Sequence, residues 1–412
     1  MPKWANKGHE FDELGNYFKE HNEIVILGFN SSKIEKIRER LSFLGQNAPI
    51  KTIYVNPLLY QLVKNFIKFT VSSNAILVIA DDSSKIFDNF LQIQGFTENK
   101  NIFLESNFFK KYLSIYALYC FDKLYSPYST AVVVTTLCTL NCKYCLNYQP
   151  YIKNKQHSDY NMMISDIDKF FNVIDYTEFF SFTGGEPLLN KKTPELIKYV
   201  YKKYRNKYGK LGTATNGTIV LDEQTLNVFK ETNAELLVDD YRKNVPSLKS
   251  TYEEIIKQCK DKGLNYIKGN SASFFKTFPP AEDYSKLSDE ELIEKFDRCQ
   301  ELYSGFALKD GKFYACCYSS FIETAGVIES ADSDYLDLNQ EIDKKVIMEF
   351  ILGYTDKGFA KLCKYCNCFF ADYGGGYDEG GATQQHKNKL LEWDINNPTE
   401  YIEKHSDIKI KN

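Results

Sequence analysis

Short aliphatic and β-branched runs alternate along this chain with longer amphipathic stretches, the pattern of repeated strand–helix units. Glu23-Ile-Val-Ile-Leu-Gly-Phe-Asn30 reads as a strand and turn, Ser32 to Leu44 as a helix, and Ile50-Lys-Thr-Ile-Tyr-Val-Asn-Pro57 as a second strand. Leu58 to Phe69 is helical, Asn74-Ala-Ile-Leu-Val-Ile-Ala-Asp81 is a third strand, and Ser84 to Gln94 is a further helix. Right-handed crossovers turn such units into a small parallel, Rossmann-like sheet over residues 1–100. An aromatic helix, Phe108 to Leu124, then dominates a linker over 101–125.

The repeat resumes with Ala131 to Thr136, a continuous run suited to a strand buried on both faces. Strands over 178–183, 211–215, 234–239 and 264–268 follow. Helices near 164–174 and over 194–204, 222–231 and 252–262 lie between them or lead the last strand. The fold class expected is α/β: a partial (β/α)6-type barrel over 126–290, with an amino-terminal Rossmann-like domain. Catalytic groups of such a barrel gather at the carboxyl ends of its strands.

At the first of these ends, Cys138, Cys142 and Cys145 arrive within eight residues. Three close thiolates suit an iron–sulfur cluster, with one sulfur for each of three irons, whereas structural zinc takes four ligands. Three ligands for four irons leave one iron open to chelation by a small molecule. A zinc site and simple core thiols are the alternatives on spacing alone. With 11 cysteines and no signal-peptide pattern in Met1-Pro-Lys-Trp-Ala-Asn-Lys-Gly-His9, the expected location is the cytoplasm, where thiols serve metals rather than disulfides.

These residues resemble the radical SAM superfamily, whose Cys-x3-Cys-x-aromatic-Cys signature is met by Cys138, Cys142, Tyr144 and Cys145. The likeness continues in order through Phe179-Phe-Ser-Phe-Thr-Gly-Gly-Glu-Pro187 and Thr213-Ala-Thr-Asn-Gly217. It implies a [4Fe-4S] cluster that cleaves S-adenosylmethionine to a 5′-deoxyadenosyl radical, using an external one-electron reductant such as flavodoxin or ferredoxin. By the same resemblance Tyr144 lies near the adenine, and Thr215 and Asn216 lie near the ribose. Gly184 and Gly185 allow close backbone approach, Glu186 can accept a hydrogen bond from the methionine ammonium, and Pro187 closes the turn. A plain strand-to-helix turn and a helix cap are the structural alternatives for these two motifs.

Leu236-Leu-Val-Asp-Asp-Tyr-Arg242 sends two carboxylates from a buried strand toward the expected cavity. Asp239 or Asp240 would hold a substrate hydroxyl or remove its proton, and a salt bridge to Arg242 is the competing reading. The segment resembles the Asp-Tyr turn of radical SAM proteins encoded with glycan-biosynthesis enzymes. Further on, Asp310-Gly311 signals a hairpin. Cys299, Cys316, Cys363 and Cys366 resemble the ligands of a twitch form of the SPASM-type domain over 291–385, implying an auxiliary [4Fe-4S] cluster with no open iron. Structural zinc is the alternative. Cys317 and Cys368 are surplus, and a tail over 386–412 follows. Tyr373-Gly-Gly-Gly-Tyr-Asp-Glu-Gly-Gly381 is either a cover for the barrel mouth or a linker, and His157 and His386 read as lone histidines rather than ligands.

The amino-terminal turn Gly28-Phe-Asn-Ser-Ser32 has one glycine, and its second strand ends in Asn56, so it lacks a dinucleotide fingerprint. It weakly resembles nucleotide-sugar-binding domains of glycan-modifying enzymes, with a structural or docking module as the alternative. A net charge of −4 excludes a nucleic-acid-binding character, and the basic run Lys202 to Lys207 suits a solvated helix end. No apolar run approaches a membrane span. Together these features point to a radical SAM oxidoreductase acting on a sugar-type substrate, nucleotide-linked or free, that oxidises an alcohol. Epimerisation, peptide modification and a non-enzymatic relay are the other classes.

Overall fold

The computed structural model describes residues 9–60, 71, 74–92, 95–271, 273–299, 305–368, 377–378, 382–384, 389–399, 401–405 and 409–410. After the helix His9–Glu20, β1 (Ile24–Gly28), β2 (Ile50–Tyr54), β3 (Ile76–Ile79) and β4 (Ile102–Leu104) form a parallel sheet in the order β2-β1-β3-β4. β1 and β3 are buried along their whole length, as their unbroken aliphatic runs require. β4 falls inside the stretch expected to be a helical linker. The expected helix over 58–69 lies almost wholly outside the described residues.

Residues 105–121 are helical in three pieces, ending at Asp122 in the left-handed conformation. Phe108, Phe109, Tyr112 and Tyr116 are buried, and Phe103 of β4 meets Tyr112 with ring centroids 4.7 Å apart. This aromatic layer joins the small sheet to the barrel in one continuous core. On the same boundary, Arg40 donates to Glu178 at 2.9 Å and lies 3.6 Å over the ring of Phe109.

The second sheet is built from β5 (Tyr125–Thr135), β7 (Tyr176–Gly184), β8 (Tyr208–Thr215), β9 (Glu235–Asp240), β10 (Tyr266–Asn270), β12 (Gly305–Lys309), β13 (Lys312–Tyr314) and β14 (Tyr335–Asp337). The short strands β6 (Asn154–Lys155) and β11 (Phe274–Phe275) lie outside it. Its order is β10-β9-β8-β7-β5-β12-β13-β14, with the first six strands parallel and the last two antiparallel. Six parallel strands whose edges do not meet make a partial barrel, the expected (β/α)6-type α/β architecture. Helices Tyr160–Val173, Thr193–Tyr204, Glu223–Thr232 and Lys249–Lys262 follow β6, β7, β8 and β9.

The Asp310-Gly311 hairpin forms with both residues at positive φ, but its first strand, β12, pairs in parallel with β5 through Ala307 and Ala131. The hairpin is therefore the sixth barrel strand and the start of the antiparallel edge. Lys202 and Lys203 occupy the last turn of their helix, as the charge pattern suggests. Among the described residues, no helix is long and apolar enough to cross a membrane.

Candidate active site

The loop leaving β5 is fixed before its first cysteine. The Leu137 N–H donates to Thr135 Oγ1 at 3.0 Å, and Leu137 O accepts the Glu186 N–H at 2.8 Å. This contact brings the second motif against the first so closely that a side chain on the glycines would not fit. A Cβ on Gly184 would stand 2.2 Å from Thr135 O, and one on Gly185 would stand 2.2 Å from Leu137 O.

Glu186 is fully buried, and burial pushes its carboxyl up to about 7. Its Oε1 accepts the Leu188 N–H at 3.0 Å and its Oε2 the Asn216 N–H at 2.7 Å, so it joins the second motif to the third. Asn216 in turn donates Nδ2–H to Thr139 Oγ1 at 3.0 Å and to Cys138 Sγ at 3.5 Å. The three sequence motifs thus form one hydrogen-bonded unit.

They surround a cavity of about 480 Å³ at the carboxyl ends of the barrel strands. Cys138, Cys142 and Cys145 line one side, with Gly184, Gly185, Glu186, Pro187, Thr215 and Asn216 beside them. Asp239, Ser271 and Cys317 also line it. Tyr144 is not among its lining residues; its ring is flanked by the ammonium groups of Lys143 and Lys276.

The two adjacent carboxylates separate as strand alternation dictates. Asp239 lines the cavity and accepts a hydrogen bond from Ser271 Oγ at 2.6 Å, and burial raises its pKa. Asp240 lies on a neighbouring groove, and its carboxylate receives Arg242 through Nε at 2.8 Å and Nη2 at 2.7 Å. Of the two candidate bases, the structure gives the salt-bridge reading to Asp240 and the cavity to Asp239.

A second, smaller cavity shares Tyr318 with the first. Cys299, Cys316, Cys363 and Cys366 all line it, together with Cys368 and Lys295. Lys295 is 1% exposed, donates to Cys363 O at 2.9 Å and lies 3.5 Å over the Tyr284 ring. Cys316 lines the second cavity, Cys317 the first, and Tyr318 both. Cys259 is buried in the core, within the helix Lys249–Lys262.

The set of Cys138, Cys142 and Cys145 fits polynuclear iron, and the four thiols of the second cavity suit an iron–sulfur group or zinc alike. Burial and neighbouring thiols push Cys138 and Cys363 up to about 12 and also raise Cys142, and burial raises Cys145. Thiols so placed ionise readily only against the positive charge of a bound metal group. Among the described residues, no three His, Cys, Asp or Glu side chains converge as ligands of a single ion; these thiols line cavities instead. His157 is hydrogen-bonded to Thr135 Oγ1, and His386 lies outside the described residues.

Sequence reasoning missed Gln384, which donates Nε2–H to Cys142 Sγ at 3.0 Å. Its backbone forms an antiparallel bridge with Cys142, and no local signal marks a pairing across 242 residues. Most of the glycine run over 373–381 lies outside the described residues, but Tyr377–Asp378 pairs with β11 at the cavity rim.

The family model of the radical SAM superfamily matches residues 132–301, which span all three motifs. This region is a radical SAM domain. Solved structures similar to the chain include BtrN in complex with AdoMet and 2-DOIA, at 18% identity and a TM-score of 0.39, covering 60% of this chain and 94% of BtrN. Native anSMEcpe with bound AdoMet and the Kp18Cys peptide is similar at 15% identity and a TM-score of 0.37, covering 58% of this chain and 88% of its own. No curated protein matches. Radical SAM domains carry a [4Fe-4S] cluster and S-adenosylmethionine, which the cysteine loop and the first cavity of this domain suit by chemistry and position.

Proposed function

We propose that the chain is a radical SAM dehydrogenase that oxidises an alcohol of a sugar-type substrate, nucleotide-linked or free. Cys138, Cys142 and Cys145 hold the first [4Fe-4S] cluster, and Cys299, Cys316, Cys363 and Cys366 hold an auxiliary one. When bound, these groups and S-adenosylmethionine supply a 5′-deoxyadenosyl radical, which takes a carbinol hydrogen atom, and a one-electron acceptor.

The observation carrying this reading is the shared wall of the two cavities. Three consecutive residues, Cys316, Cys317 and Tyr318, face the second cavity, the first, and both. A substrate radical in the first cavity would stand one side-chain layer from the acceptor, and oxidation needs that electron removed. Asp239 is the base: it lines the first cavity, is held by Ser271, and would take the hydroxyl proton as the carbonyl forms. Glu186, Asn216 and the two glycines hold the loops that shape the cofactor side. The reductant is an external flavodoxin- or ferredoxin-type protein, and the setting is the cytoplasm.

Epimerisation is the second reading, favoured by the Cys317 thiol at the cavity. There the substrate radical takes a hydrogen atom from the thiol, the thiyl radical left behind is reset by one electron from the external reductant and a proton from solvent, and the substrate is not oxidised. Reconstituted protein given S-adenosylmethionine, dithionite and a panel of nucleotide sugars in deuterated water distinguishes the two. Oxidation gives a ketone with 5′-deoxyadenosine. Epimerisation gives an isomer carrying solvent deuterium, and Cys317→Ser abolishes it.

A further inference from the structure

Besides Asn216, which donates to Cys138 Sγ at 3.5 Å, two side chains from outside the cysteine motif bear on its thiols. Gln384 donates Nε2–H to Cys142 Sγ at 3.0 Å, while its Oε1 accepts the Asn141 N–H at 2.7 Å. The segment carrying it is fixed to the loop, since Lys143 N–H donates to Thr383 O at 3.0 Å beside the Cys142–Gln384 bridge. The amide is held in place before any metal group binds.

Lys155 lies on β6, in the segment paired with the start of the same loop. It is 7% exposed; burial lowers its pKa, against which the nearby thiols of Cys138 and Cys145 favour its charged form. It is positioned by the next residue: Gln156 N–H donates to Thr136 Oγ1 at 2.8 Å, and Thr136 N–H donates to Gln156 O at 2.9 Å. Among the described residues, no carboxylate forms a salt bridge with Lys155. A buried ammonium without a carboxylate needs another negative partner, and the thiolate site is the one its charge faces.

We propose that Lys155 and Gln384 set the reduction potential of the iron–sulfur group held by Cys138, Cys142 and Cys145, an inference that rests on reading those thiols as cluster ligands. Three thiolates around a [4Fe-4S] core leave the group negative, and the electron it accepts makes it more so. A neighbouring cation and an N–H donated to sulfur both stabilise the reduced form more than the oxidised form, which raises the potential. A cluster tuned this way is within reach of a milder one-electron donor. Both are positioning residues: neither lines the first cavity.

The test is an EPR-monitored reductive titration with dithionite of reconstituted wild type, Lys155→Met, Lys155→Arg and Gln384→Leu, with iron per chain measured alongside. The signal that changes on adding S-adenosylmethionine identifies the relevant cluster. At the wild-type midpoint, Lys155→Met is expected to lower the ratio of reduced to oxidised cluster on the order of tenfold, about 59 mV for a one-electron couple. Gln384→Leu should shift it in the same direction by less, and Lys155→Arg should stay near wild type. Full iron content with unchanged midpoints in both Lys155→Met and Gln384→Leu overturns the proposal. If Lys155→Met does not hold iron, Gln384→Leu and Lys155→Gln decide by the same criterion. Wild type that takes up no iron on Cys138, Cys142 and Cys145 overturns instead the reading beneath it.

Discussion

The Glu186 carboxylate accepts the backbone N–H of Asn216 at 2.7 Å and that of Leu188 at 3.0 Å. Both of its oxygens are therefore engaged in holding two loops together before a cofactor arrives. Glu186→Ala would leave two buried N–H groups without acceptors, at a cost of about 2–5 kcal/mol. Glu186→Gln keeps one acceptor and should lose about half as much. Urea denaturation of the three proteins gives the comparison, and equal stability would remove Glu186 from this role.

Gly185 sits where the second motif passes over the first. A methyl group there meets Leu137 O at 2.2 Å and Cys138 Cβ at 2.9 Å. Because the nearest atom is backbone, the cysteine loop must move, and Gly185→Ala should cost about 1–3 kcal/mol. The same shift should reduce iron retained after anaerobic reconstitution, measured with the melting temperature.

Asp239 and Asp240 are neighbours in sequence with opposite surroundings. Asp239→Asn removes the base facing the cavity and should lower product formation by about 10²–10⁴-fold, while 5′-deoxyadenosine release without product continues. Asp240→Asn weakens only the Arg242 pair and should change turnover far less. Product and 5′-deoxyadenosine assayed from the same reactions separate these outcomes.

Asp166 is 4% exposed and accepts the Gly311 N–H at 2.8 Å, pinning the hairpin turn to the helix Tyr160–Val173. Burial raises its carboxyl from 3.8 to about 6. The native state then binds its proton more tightly than the unfolded chain does. Its contribution to stability is greatest below pH 3.8, falls as pH rises to about 6, and is flat above that. Asp166→Asn still offers an acceptor to Gly311 and lacks this slope. Its denaturation midpoint relative to wild type should therefore rise across that window and then level off.

Much of this was legible in local pattern. β1 and β3 are aliphatic runs between turn residues, β7 to β10 overlap the strands expected over 178–183, 211–215, 234–239 and 264–268, and the thiols, glycines and Asn216 fall at strand ends, where the repeat predicts function. β4 was hidden because three residues, Ile102 to Leu104, precede a longer aromatic helix. The first half of β5 was hidden by Ser126, Pro127 and Ser129, which break the apolar run beginning at Ala131. That β12 completes the barrel depends on pairing with β5, about 175 residues away, and has no local signature. Nor has the approach of Gln384 to Cys142. The different fates of Asp239 and Asp240 follow from which side of β9 faces inward, which the sequence motif alone did not decide.

The central claim is that two thiol sets hold two clusters with different duties. Iron, sulfide and zinc per chain, together with reductive cleavage of S-adenosylmethionine, test it in wild type, Cys138→Ala/Cys142→Ala/Cys145→Ala and Cys363→Ala/Cys366→Ala. About eight irons in wild type should fall to about four in either variant, with 5′-deoxyadenosine formation abolished only in the first. Zinc in place of iron at the second set, or cleavage that survives loss of Cys138, Cys142 and Cys145, would contradict it.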